Sequence, residues 1–270
     1  MNRDDLKNLA ANPDFISGIY NYCDRWCERC AFSSHCFLYA AEKADAELDD
    51  PDVSDLNNPK FWRKLESIFK DAHELIRDCA KEAGIDLDAI EDDDAVAAHE
   101  RETDQARGHE FALLARDYAA MVQTWFANEC PTDESFQLAA VANAEDADAE
   151  IDLIAAVEVI RWYQFFIAAK VFRALIGSDD ELRDVYDQGD AQVNPAQTDA
   201  NGSAKIALIA IDRSFSAWRI MQGCVPDKKD SISPMLAALE TLRNGIGEAL
   251  PLARDFVRPG FDEEISDLVS

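Results

Sequence analysis

Residues 20 to 39 limit what this chain can fold into more than any other stretch. They read Tyr20-Asn21-Tyr22-Cys23-Asp24-Arg25-Trp26-Cys27-Glu28-Arg29-Cys30-Ala31-Phe32-Ser33-Ser34-His35-Cys36-Phe37-Leu38-Tyr39. Four of the 7 cysteines fall between Cys23 and Cys36, where an even scatter would place roughly 0.4. A lone buried cysteine needs no neighbours of its kind, so this density points to thiolates gathered on a metal or in a redox site. The other three, Cys79, Cys130 and Cys224, are scattered and read as small apolar residues on helix faces.

Compartment bears on the cysteines. The first residues, Met1-Asn2-Arg3-Asp4-Asp5-Leu6-Lys7, lack an apolar run behind a basic start, so no secretory signal is expected. The most apolar run, residues 151–176, is broken by Asp152, Glu158, Arg161, Lys170 and Arg173, and no membrane span is expected. The chain reads as cytoplasmic, where thiols stay reduced and a cysteine cluster is a ligand set before it is a disulfide framework.

Charge narrows the partners. Acidic residues number 54 against 26 basic, a formal net charge of -28, which repels a phosphate backbone and disfavours general nucleic-acid binding. An unknown basic protein partner is the inverse reading, beside plain solubility.

Asn12-Pro13-Asp14 supplies a cap, a proline and an acid, predicting a helix through Phe15, Ile16, Ile19 and Tyr20 into the cysteines. Cys23, Cys27 and Cys30 then share a face. A straight helix spreads the outer two by roughly 10 Å along its axis, too far for one ion, so a break is expected between Cys27 and Cys30. Residues 41–58 read as an acidic linker. A helix is predicted from Asn58-Pro59 to Gly84, and another over about residues 95–128. A short helix over Phe136, Leu138 and Val141 follows, then a central helix at 151–176, apolar almost all round. Residues 177–203 read as a polar loop with one turn near Leu182 and Val185. The last helices are placed at 204–222 and from Ser233-Pro234 to Ala249, extending to Val257 if Pro251 only kinks the second.

The cysteine spacing is C-x3-C-x2-C-x5-C. Zinc sites usually split into two knuckles a dozen or more residues apart, whereas four-iron clusters are often held by closely spaced cysteines. Cys27-x2-Cys30-x5-Cys36 resembles the cluster loop of the endonuclease III and adenine glycosylase family, a likeness of about ten residues that implies cluster ligation and carries no glycosylase activity. The segment from Ile16 to Cys30, with Tyr22-Cys23-Asp24-Arg25-Trp26-Cys27-Glu28-Arg29-Cys30 at its centre, is similar to the start of an uncharacterised group of bacterial helical proteins. The expected ligands are Cys23, Cys27, Cys30 and Cys36 of a [4Fe-4S] cluster, with zinc and redox thiols as alternatives. Four thiolates leave excess negative charge, so Arg25, Arg29 and His35 are expected around them. Trp26, Tyr22 and Phe32 are candidate shields.

Other chemistry is tested quickly. A di-iron bundle needs Glu-x-x-His, but Phe32, Lys70, Val96 and Ala106 stand three before the four histidines. Glycine-rich phosphate loops, H-E-x-x-H and G-x-S-x-G are missing from the sequence. On a helical wheel Glu158 sits with Ile151, Ile154, Phe165, Ala169 and Phe172, which predicts a buried carboxylate beside Arg161. Arg161, Lys170 and Arg173 in 151–176, and Lys205, Arg213 and Arg219 in 204–222, match or exceed the acids of those two helices, which could make an anion pocket. A pocket around Glu158, Arg161, Trp162, Arg213 and Trp218 is the enzyme reading.

The expectation is an all-α helical bundle of about five main helices with an amino-terminal four-cysteine metal knuckle. Residues 1–40 form the metal segment, 41–58 the linker, 59–260 the bundle and 261–270 a tail. Three functions follow: a cytoplasmic iron-sulfur protein in a redox or structural role, a zinc-stapled acidic adaptor on a basic partner, or an enzyme using the Glu158 pocket. Substrate and oligomeric state are not written in these motifs.

Overall fold

The protein is described from a computed structural model covering residues 3–47, 55–87, 93–129, 147–176 and 194–262. All regular structure among them is helical, in eight α-helices rather than about five. The expected helix over Phe136, Leu138 and Val141, the turn near Leu182 and Val185, Cys130, residues 48–54 of the linker and most of the tail lie outside the described residues. Among the described residues no helix is long and apolar enough to cross a membrane.

The chain divides into two units, residues 1–97 with 259–270, and residues 98–258. The long helix from Pro59 therefore groups with the cysteines and not, as the sequence suggested, with the carboxy-terminal bundle. The first unit holds α1 (Arg3–Ala10), three 3-10 turns, α2 (Phe37–Glu47) and α3 (Pro59–Glu82). No helix leaves Pro13. Asn12 Oδ1 accepts the Asp14 amide at 3.0 Å, so the expected cap closes an Asx turn instead. Gly18, at φ 72, then sets the left-handed entry to the turn Ile19–Asn21. The linker shortens because α2 continues through Glu47. α3 starts where read: Pro59 takes the first position and Asn58 Oδ1 accepts the Lys60 amide at 3.0 Å. Gly84, at φ 72, ends it.

α4 (Asp93–Gly108) and α5 (Glu110–Glu129) replace the single helix expected over 95–128. The break falls at His109, whose Nδ1 accepts the Phe111 amide at 3.2 Å. In the second unit α5 packs on α6 (Ala147–Ile176) and α8 (Lys229–Ala249), and α7 (Asp199–Cys224) also packs on α6 and α8. The central helix is α7, not the more apolar α6. Ala200, Gly202, Ser203, Ala204, Ala207, Ala210, Ser214 and Ala217 are all buried, because small side chains let neighbours approach on several sides. α7 begins five residues before the predicted start, capped by Thr198, whose hydroxyl accepts the Asn201 amide at 3.2 Å. α8 begins at Lys229 and takes Pro234 inside, forgoing the amide bond that position would make. It stops at Ala249, and Pro251 leads only into the turn Ala253–Asp255.

Aromatic groups cross the middle of this unit. The Trp218 indole N–H donates to the Tyr118 hydroxyl at 3.0 Å, with Trp125 edge-on at 5.2 Å. Burial pushes the Tyr118 hydroxyl up to about 12, against smaller lowering by Trp218 and Ser214. Ser214 Oγ stands near that hydroxyl without making a hydrogen bond of ordinary geometry.

Candidate metal centre

Short 3-10 turns, rather than one broken helix, present the four cysteines. Cys23 follows Ile19–Asn21, Cys27 opens the turn Cys27–Arg29, Cys30 caps it, and Cys36 caps Ser33–His35. Each cap is closed by a backbone bond, Cys30 N–H to Cys27 O at 3.2 Å and Cys36 N–H to Ser33 O at 3.3 Å. The repeated reversals bring all four side chains to one cavity of about 20 Å³, whose wall includes Ile19, Tyr20, Trp26, Tyr39 and Phe261. All four are half-buried.

Two backbone amides point at sulfur. Phe32 N–H donates to Cys30 Sγ at 3.4 Å, and Arg25 N–H bonds Cys23 in the same two-residue relation. Such donors favour the thiolate over the thiol. Arg25 reaches this position at φ 59, the one non-glycine residue of positive φ among the described residues. That conformation costs roughly 1–2 kcal/mol, and strain of this kind gathers where geometry serves a site.

Burial raises the Cys23 thiol, opposed by the Arg25 amide and charge and reinforced by Asp24 and Cys36. It raises Cys27 too, with Arg25 again opposing and Cys23, Glu42 and Cys36 adding. Cys36 thus acts on both thiols across the cavity.

The expected surroundings separate on inspection. Arg25 stands at the thiols, with its guanidinium also 2.6 Å from Glu42. Arg29 stacks on the Trp26 ring, 4.1 Å from its centre, and Trp26 is part of the wall. His35 turns away: its Nδ1 lies 2.9 Å from the Asp14 carbonyl, an acceptor, so that nitrogen carries the proton. Tyr22 and Phe32 do not line the cavity, although Phe32 packs edge-on against Phe261 at 5.1 Å. Phe261 and Tyr39 were missed from the sequence. Pro259-Gly260 was the available signal for Phe261, because Gly260 at φ 75 turns the chain back, and a Cβ there would lie 2.9 Å from Ile16 Cδ1.

The donor chemistry fits a thiophilic metal: four sulfurs share the wall with one carboxylate, Asp24. Among the described residues, no group of three or more His, Cys, Asp or Glu stands in position to hold a metal ion.

The pocket expected around Glu158 has lost its premise. Glu158, Arg161, Trp162 and Arg213 are exposed, while Trp218 is core. α6 buries Leu153, Ala156, Ile160, Tyr163, Ile167, Val171 and Ala174, so the stripe carrying Glu158 and Phe165 faces outward. A helix apolar all round gives the wheel no preferred face. The bases are engaged elsewhere: Arg161 over Phe126 at 4.7 Å, Arg213 to Tyr163 Oη at 2.5 Å, Arg173 to Asp199 at 2.6 and 3.0 Å, Lys205 to Phe256 O at 2.5 Å. A groove of about 500 Å³ that the sequence did not flag lies between α5 and α8, over Met121, Trp125, Pro234 and Met235.

No protein-family model, curated protein or solved structure matches this chain.

Proposed function

We propose that the protein is a cytoplasmic metalloprotein whose Cys23, Cys27, Cys30 and Cys36 hold a [4Fe-4S] cluster in a redox or structural role. The observation that carries this is that four cysteines, carried by separate turns, line one cavity and are each half-buried. Two amide donors to sulfur and an arginine beside the thiols offset the charge that four thiolates bring. When bound, such a cluster supplies one-electron transfer or a cross-link of the segment. The resemblance of Cys27-x2-Cys30-x5-Cys36 to the endonuclease III loop supports the ligand set and no more.

Anaerobic purification tests it. Brown protein absorbing near about 400 nm, with about four irons per chain, is the expected result. A colourless protein with one zinc contradicts it. One observation favours that zinc reading: about 20 Å³ is room for roughly one water-sized body. A zinc-stapled chain of net charge -28 would serve as an adaptor for a basic protein. Its capture of partners would fall steeply with salt.

A further inference from the structure

α3 carries a seam that its own unit leaves open. Phe61, Leu65, Ile68, Ala72, Leu75 and Cys79 follow one another by alternating steps of four and three, and Trp62, Phe69 and Ile76 flank them every seven residues. This is a heptad pattern over three turns of the repeat. Trp62 is 58% exposed, Ile68 52%, Phe69 59% and Ile76 58%, and Leu56 and Ile85 extend the strip at either end. An apolar strip of that size on a helix surface marks an interface.

Charge states what covers it. The chain is -28 overall, so two copies repel wherever average surface meets. α3 is different. Its first half carries Lys60, Arg63, Lys64 and Lys70 against Glu66, and its second half carries Asp71, Glu74, Asp78 and Glu82 against Arg77 and Lys81. The halves are thus +3 and -2. A parallel partner would set like halves together, whereas an antiparallel one sets basic against acidic.

We propose that α3 pairs antiparallel with α3 of a second copy of this chain, about a two-fold axis at Lys70. The sequence fits that axis in its apolar pairs and its outer charges, and Asp71 facing its own counterpart is the one repulsive pair. Phe61 meets Cys79 of the second copy, Leu65 meets Leu75, and Ile68 meets Ala72. Phe69 meets its own counterpart, flanked by Trp62 against Ile76. Lys64 approaches Asp78 of the second copy, which in each chain also holds Lys7 at 3.5 Å. The arrangement is isologous and closes at two copies.

Sedimentation of the full chain over a wide concentration range tests this. The expected result is a dimer that Phe69→Glu converts to monomer with unchanged helical circular dichroism, weakening association at least about 100-fold. Ile76→Lys gives the same result at a second exposed position if Phe69→Glu misfolds. Orientation is read by mild oxidation: Asp71→Cys, beside the axis, forms an intersubunit disulfide only when the helices run antiparallel. A wild-type monomer, a dimer indifferent to both charge substitutions, or a Cys79–Cys79 disulfide, which needs parallel helices, overturns the proposal.

Discussion

Arg25 touches the cysteine turns through both its backbone and its side chain. It stands at φ 59 with its amide bonded to Cys23, while burial raises the Cys23 and Cys27 thiols and its guanidinium partly opposes that rise. The cysteines therefore separate by role. Cys36→Ser is expected to cut bound metal at least about tenfold, whereas Cys79→Ser, at an exposed site on α3, leaves metal content unchanged. Metal analysis of the two purified variants checks this. Tyr118 supplies a second prediction at this scale. Its folded pKa of about 12 stands above the ordinary 10.0, so the folded state binds the proton more tightly. Stability is complete below about pH 10 and falls as pH rises through about 12, by on the order of 2–3 kcal/mol. Tyr118→Phe flattens that slope in urea titrations at high pH. At neutral pH it weakens the fold by about 1–3 kcal/mol, since the Trp218 indole loses its acceptor. The cysteines were legible because their chemistry is dense and local. The angle at Arg25 and the arrival of Phe261 were not, since each depends on contacts made from far along the chain.

Elements were legible where local chemistry and packing agreed. Asn58-Pro59 and Gly84 bound α3 because capping and left-handed glycine act within a few residues. The same cap at Asn12 failed to start a helix, because Gly18 follows before an apolar face can build. α6 misled in another way: with apolar groups on every side, neighbours alone decide which stripe is buried. α7 hid its start behind Asn201-Gly202-Ser203, residues that suggest a loop until their small size proves useful in a crowded helix. Two glycines on α8 separate propensity from packing. A Cβ at Gly247 meets nothing within 4 Å, so Gly247→Ala should stabilise by about 0.5–1 kcal/mol. A Cβ at Gly245 would lie 2.3 Å from the Phe111 ring, so Gly245→Ala displaces the ring and should destabilise by about 1 kcal/mol despite the better propensity. Thermal melts of both variants, measured side by side, decide whether α5 and α8 touch as described.

At the scale of the whole molecule, each of the two units has its own organising principle. The second is held by small residues on α7 and a buried aromatic cross-link. Among its described residues, the first contains few fully buried large side chains beyond Ile19, and its cysteine turns are short structures with little hydrogen bonding of their own. A metal held by four thiolates contributes folding free energy directly in such a segment. Chelation should therefore unfold the first unit while the second keeps its melting transition, an outcome that differential scanning calorimetry with and without chelator resolves. Charge belongs to this scale too, because -28 spread over the chain leaves the near-balanced charges of α3 as a local exception to a repelling surface. The most direct measurement is iron, sulfide and zinc content with a visible spectrum, taken on one sample purified without oxygen. About four irons and four sulfides per chain with absorbance near about 400 nm are expected if the four cysteines hold a cluster; metal-free protein, or the same iron content in a variant with all four cysteines replaced, contradicts it.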